Sequence, residues 1–158
     1  MSYVVRPAYL EDTYHVYALM NREDVCMWST DSMPKTWDMH EAWFDRYVGN
    51  KLGLMFLLEH DGVVKGEVHY DPCETDGKIG AGSHIALQPE MRGQGIGRWL
   101  LESTIPCAYD VKGVKFLLAT IRPKNVDSVE CFSSCGFEYL STKGNGDNAM
   151  ACYIHEGV

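Results

Sequence analysis

Nowhere in the 158 residues does an apolar run approach the ~20 that a bilayer-spanning helix needs. The opening MSYVVRPAYLEDTYH turns acidic early and lacks the basic, apolar, small-residue order of a secretory signal, so a cytoplasmic location is expected. Basic charge is also short: 14 Lys and Arg against 22 Asp and Glu leave a formal net charge of -8. Such a surface repels phosphate backbones, which disfavours nucleic acid, and leans toward a cationic partner such as an amine. Six cysteines occur, yet none forms a CxxC pair and no Cys/His spacing matches a zinc site. They read as small buried thiols of a reducing compartment, and no metal is expected. Repeats, low-complexity tracts and linkers are missing too, so residues 1–158 read as one domain, large enough to bury roughly 70% of its unfolded surface.

What is present is a regular succession of elements. Residues 3–6 read as a short strand stopped by Pro7. An amphipathic helix is expected from Glu11, with Tyr14, Tyr17 or Ala18, and Val25 on its inner side. After a loop at 26–35, a second helix over 36–48 carries Trp37, Trp43, Phe44 and Tyr47. Strands 52–59 and 63–70 form a hairpin about Asp61-Gly62. DPCETDGK (71–78) is expected as a turn before strand 79–87, where Ser83, Ile85 and Leu87 share one side and His84 and Ala86 the other. A helix opens at Ile96 and reaches about Ile105, with Pro106 expected to kink or end it. Strand 115–121, helix 125–135 stopped by Gly136, and strands 137–142 and 149–155 close the chain. The fold class is α/β (α+β): a mixed, mostly antiparallel sheet of about six to seven strands flanked by about four helices.

PEMRGQGIGRWLL (89–101) concentrates three glycines at the mouth of a helix. The first turn of a helix leaves backbone N–H groups unpartnered and carries about half a positive charge, and glycine lets an anion come close to them. Arg92 and Arg98 flank the turn, so a pyrophosphate is the natural guest. The P-loop Gly-Lys-Ser/Thr is absent, and a GxGxxG begun at Gly93 fails at Arg98. A tight strand-to-helix turn without a ligand is the bland alternative.

Downstream, NVDSVECFSSCGF places Asn125, Ser128 and Phe132 on one helix face before Gly136-Phe137. With this second motif the chain resembles the GNAT superfamily of coenzyme-A-dependent N-acyltransferases. That superfamily carries Arg/Gln-x-x-Gly-x-Gly/Ala, matched by Arg92, Gly95 and Gly97, and then Asn-x-x-Ala/Ser-x-x-x-Tyr-x-x-x-Gly-Phe. The opening VVRPAYLED and the hairpin FLLEHDGVVKGEVHY are also similar to it.

The resemblance implies one GNAT-like domain that transfers an acetyl group from acetyl-CoA to a primary amine, on a small molecule or a protein, by direct attack. It implies that the pantetheine arm pairs with the backbone of Ile85, Ala86 and Leu87, the Leu87 N–H facing the thioester carbonyl as oxyanion donor. The pyrophosphate would lie on the N–H groups of Arg92, Gly93, Gln94, Gly95, Ile96, Gly97 and Arg98, with Asn125 and Ser128 touching the cofactor. Asn125 reads equally as a helix N-cap. Phe132 departs from the pattern, because the family often has Tyr there to protonate the leaving thiolate; a water, Ser133 or Tyr139 could stand in. An amine of pKa ~10.4 must lose a proton before it attacks. Glu67, His69 and His84 are candidate bases, Glu67 and His84 ahead, against the reading of all three as hydrogen-bonded strand residues. Acceptor recognition would fall to CMWSTDSMPKTW and TKGNGDN, with Asp24, Asp31 and Asp38 holding an ammonium beside Trp28 or Trp37, unless these are surface acids and core aromatics. A homodimer is compatible with the family. A coenzyme A binding module without catalysis is the alternative function.

Overall fold

Asp61 and Gly62 both adopt positive φ, 51° and 81°, and so do Asp76 and Gly77, at 52° and 75°. Two consecutive residues of this kind form the turn whose twist matches that of a hairpin. In the computed structural model, which describes residues 2–157, these turns join three antiparallel strands: β2 (Leu54–His60), β3 (Val63–Thr75) and β4 (Lys78–Leu87). The stretch expected as a turn at 71–78 is therefore mostly strand, paired from Asp71↔Gly82 to Thr75↔Lys78. Its polar residues run beyond the hydrophobic core, so no alternation of apolar and polar residues marks them. Only the Asp-Gly dipeptide turns.

With β1 (Tyr3–Pro7), β5 (Val114–Ile121), β6 (Glu138–Lys143) and β7 (Met150–Glu156), the strands form one sheet of order β1-β2-β3-β4-β5-β7-β6. Its pairs are antiparallel except β4–β5. The helices are α1 (Thr13–Met20), α2 (Glu23–Cys26), α3 (Trp37–Phe44, continued by a wider turn over Asp45–Gly49), α4 (Ile96–Tyr109) and α5 (Val126–Ser134). Helices α4 and α5 supply Leu100, Leu101 and Phe132 to a core built on Leu58, Val68, Tyr70 and Leu117. A smaller cluster joins Val16, Phe44 and Tyr47 to Met55 and Leu57. Each fully buried aliphatic side chain stabilises the fold by roughly 1.5–3 kcal/mol.

Two expectations about helices change. The inner residues of α1 are Val16 and Leu19, whereas Tyr14 and Ala18 are exposed and Val25 belongs to the separate α2. The buried aliphatic pair outweighs tyrosines that can keep their hydroxyls in water. Helix α4 passes through Pro106 to Tyr109. Buried Ala108 and the Tyr109 hydroxyl, 2.6 Å from His155 Nδ1, dock its last turn and offset the missing proline N–H.

Candidate functional site

Strands β4 and β5 are paired only over Ile79–Gly82. Beyond Gly82 they part, while β4 stays paired to β3 as far as Leu87 and β5 to β7 as far as Ile121. The sheet thus contains a wedge whose β4 edge, residues 83–87, has no strand partner on that side. A cavity of about 420 Å³ opens there, lined by Ile85, Ala86 and Leu87 from the strand, by Gly93, Gly95 and Gly97 from the following turn, and by Asn125 and Ser128 from α5.

The glycines differ in what they allow. Gly93 and Gly95 have φ of 71° and 77°, and a Cβ added at either would meet nothing within 4 Å, so the turn presents bare backbone to open space. Gly97 is needed for packing: a Cβ there would lie 3.0 Å from Cys131 Sγ and 3.4 Å from Leu87. Gly95 caps α4, whose first turn leaves N–H groups without helical partners, and Gly95, Gly97 and Arg98 all line the cavity. The arrangement suits an anion of pyrophosphate type joined to a chain that runs along the wedge.

Of the two arginines, Arg92 is largely engaged within the protein. Its Nε and Nη2 donate to the Leu87 carbonyl at 3.1 and 2.8 Å, and Nη1 lies 3.4 Å from Asp24. It therefore holds the end of β4 in place, while Arg98, paired with Glu102 at 2.7 Å, remains at the cavity wall. On α5 the Asn125 Oδ1 accepts from the Ser128 N–H at 3.4 Å, the N-cap arrangement, and the same residue lines the cavity. Gln94, Ile96 and Phe132 are not among the lining residues. Phe132 is buried edge-on against Phe137, 5.0 Å between ring centres, and offers nothing to a ligand. Ser133 and Tyr139 do not reach the cavity either. Sequence reasoning missed Asp127, between Asn125 and Ser128, and Glu130, Cys131 and Ser134 on the next turns of α5. Burial pushes the Cys131 thiol up to about 11, so it is a packing residue rather than a nucleophile.

On the face of the sheet covered by α1 and α3, the candidate bases converge. His69 and His84 are opposite each other on β3 and β4, their rings stacked 4.5 Å apart. Buried Glu67 accepts from His69 Nδ1 at 2.7 Å, and Asp71 accepts from His84 Nε2 at 3.0 Å. Trp43 and Tyr47 pack edge-on to His69. Burial disfavours a charged His69, but the Glu67 carboxylate, its hydrogen bond and Asp71 outweigh it and raise the pKa. Burial likewise disfavours the Asp71 carboxylate, yet the His84 hydrogen bond and the charges of both imidazoles hold it at about 2. Asp71 was invisible as a site residue because it lies in the stretch read as a turn.

The acids expected to gather round an ammonium do not meet. Asp24 pairs with Arg22 at 3.0 Å and Asp31 with Lys35, while Asp38 lies in the first turn of α3. Trp37 packs in an aromatic group with Tyr17 and His40. Trp28 and Asp24 line the cavity beside β4 instead. A residue no motif announced joins the two loops: Arg122 donates to the carbonyls of Ser29, Thr30 and Asp147 and to Ser32 Oγ, at 2.8–3.2 Å.

The family model described as acetyltransferase (GNAT) domain matches residues 3–138. A search of curated proteins finds no match. Among solved structures, an N-acetyltransferase from Staphylococcus aureus Mu50 is similar at a TM-score of 0.83 and 24% identity, with 99% of each chain covered. The yncA protein of Salmonella typhimurium, solved with its cofactor acetyl-CoA, has a TM-score of 0.82 and 19% identity over 99% of this chain and 94% of its own. AAC(6')-Ib in complex with ribostamycin and coenzyme A gives 0.78 and 16%, again over 99% and 94%.

Proposed function

The chain belongs to the GNAT acetyltransferase family, and from that premise we propose that it moves an acetyl group from acetyl-CoA to a primary amine by direct attack. The observation that carries this reading is the wedge between β4 and β5 leading to the glycine turn at the head of α4. A pantetheine arm is a thin chain with two amides, suited to the free edge of residues 83–87, and its pyrophosphate suits the bare backbone of the turn. Coenzyme A or acetyl-CoA accompanies two of the structural neighbours, which supports the same guest.

The amine loses its proton to His84. A carboxylate only accepts hydrogen bonds, so the 3.0 Å contact with Asp71 puts the imidazole proton on Nε2 and leaves the Nδ1 lone pair free. His84 is half-exposed, and an acceptor or a bridging water can reach it. Glu67, fully buried, acts as a positioning residue through His69. The Leu87 N–H is the candidate oxyanion donor, and Arg92 fixes the peptide that follows it through the Leu87 carbonyl. The coenzyme thiol, with pKa ~8.5, leaves as thiolate without the tyrosine hydroxyl that Phe132 lacks.

Thiol release from acetyl-CoA across a panel of polyamines, amino acids, aminoglycosides and peptides tests this reading. Release that depends on one amine class is expected. The alternative, a coenzyme A binding module with weak or lost catalysis, draws on Phe132 and predicts coenzyme binding with no amine-dependent release.

A further inference from the structure

Glu67, His69, Asp71 and His84 carry a second chemistry beyond proton transfer. Glu67 accepts from His69 Nδ1, so in the neutral ring the lone pair lies on Nε2. That nitrogen faces Asp71 Oδ2 at 3.9 Å, beyond hydrogen-bond reach, while His84 Nε2 meets the same oxygen at 3.0 Å. The His69 side chain is only 7% exposed, with Nε2 on the side of Asp71. One donor atom from each of the three residues thus lies within 4.8 Å of the others. A point equidistant from corners with those separations lies roughly 2.4 Å from each at the widest, a few tenths of an ångström beyond the ~2.0–2.2 Å of zinc–nitrogen and zinc–oxygen bonds.

We infer that His69, Asp71 and His84 form a binding site for a divalent transition-metal ion of the zinc, cobalt and nickel class. Two imidazoles and a carboxylate select such borderline ions over magnesium or calcium, which take oxygen ligands. The outer support is in place as well, because a metal-binding histidine characteristically donates its other N–H to a carboxylate, as His69 does to Glu67. Cross-strand register between β3 and β4 presents both histidines on a rigid pair of strands. Trp43 and Tyr47 wall the buried side, and half-exposed Asp71 and His84 leave the other open to an entering ion. The carboxylates of Glu67 and Asp71 supply the negative charge that a dication neutralises.

One consequence rests on the acyl-transfer reading above. An ion on His84 Nε2 displaces the proton held there, and the neutral ring then carries its proton on Nδ1. The lone pair that accepts the amine proton is lost, so metal occupancy and turnover exclude each other.

Titration of the chelator-stripped full chain with Co²⁺, followed through its visible d–d absorption, tests the site without any need for turnover. Bands of four- or five-coordinate cobalt that saturate at one ion per chain are expected. His84→Ala and Asp71→Asn should each weaken binding at least tenfold, and Glu67→Gln, which touches no ion, by about 10- to 100-fold. Circular dichroism of each variant verifies that it folds. Absence of saturable bands, or His84→Ala binding cobalt as the natural chain does, overturns the proposal. In a separate arm, Zn²⁺ should suppress amine acetylation and a chelator restore it. Saturable cobalt binding with turnover indifferent to zinc would retire His84 as the base and leave the metal site standing.

Discussion

His84 is held from one end by Asp71 and free at the other, so its substitution separates chemistry from binding. His84→Ala should lower kcat by about 10²-fold or more, the scale of a lost general base. The affinity for acetyl-CoA should stay unchanged, because His84 is not among the residues that line the cavity proposed for it. Steady-state kinetics beside a coenzyme titration checks both, and turnover at the natural rate in both His84→Ala and Glu67→Gln would sink the assignment. A second residue-scale case concerns stability. Asp12, buried, accepts from both terminal nitrogens of Arg6 and from the Tyr9 N–H, each at 2.8 Å. The Arg6 hydrogen bonds, working against burial, hold its pKa below the usual range. A depressed carboxylate contributes stability above its unfolded pKa of ~3.9 and loses it as pH falls through the folded value. Asp12→Asn should therefore cost about 2–3 kcal/mol in urea unfolding at pH 7. The gap to the natural chain should narrow only below about pH 4.

At the level of elements, the turn before α4 and the loop clamp make opposite predictions about fold and function. Gly95→Val should abolish coenzyme binding while circular dichroism stays native, because its Cβ projects into open space and the positive φ strains only the loop. Unchanged affinity would refute the placement of the pyrophosphate. Gly97→Ala should instead loosen the α4–α5 contact, at a cost of about 1–3 kcal/mol, through the clash with Cys131. Arg122→Ala removes the guanidinium that ties residues 29–32 to Asp147. Faster hydrogen exchange at Ser32, with coenzyme affinity preserved, is the expected result. The glycine turn and the Asn125 cap were legible because each needs particular residue types at a fixed local spacing. Arg122 was not, since its partners lie about 90 and 25 positions away and accept mainly through backbone carbonyls that any residue provides.

For the molecule as a whole, a ligand that binds only the folded chain raises its melting temperature by mass action. Coenzyme A at a hundredfold excess over Kd adds about 2.7 kcal/mol, roughly 5–10 °C for a chain of this size. Nucleotides without the pantetheine arm should give less, since they leave the wedge beside residues 83–87 empty. Equal shifts from both would point to a general phosphate binder. No helix among the described residues is long and apolar enough to cross a membrane.

The sequence by itself determined the order of the strands and the longer helices, the hairpin turn at Asp61-Gly62, and the glycine-rich mouth of α4, because each depends on local dihedral preference and hydrophobic period. It also carried the two motifs that pointed to the family. Tertiary structure alone decided where β4 and β5 part, since strand pairing is settled by what packs on both faces of the sheet. It likewise decided that β3 runs on through Asp71, and so brought one carboxylate to two histidines. Local preference sets the shape of each segment, but a site made across strands exists only once their register does.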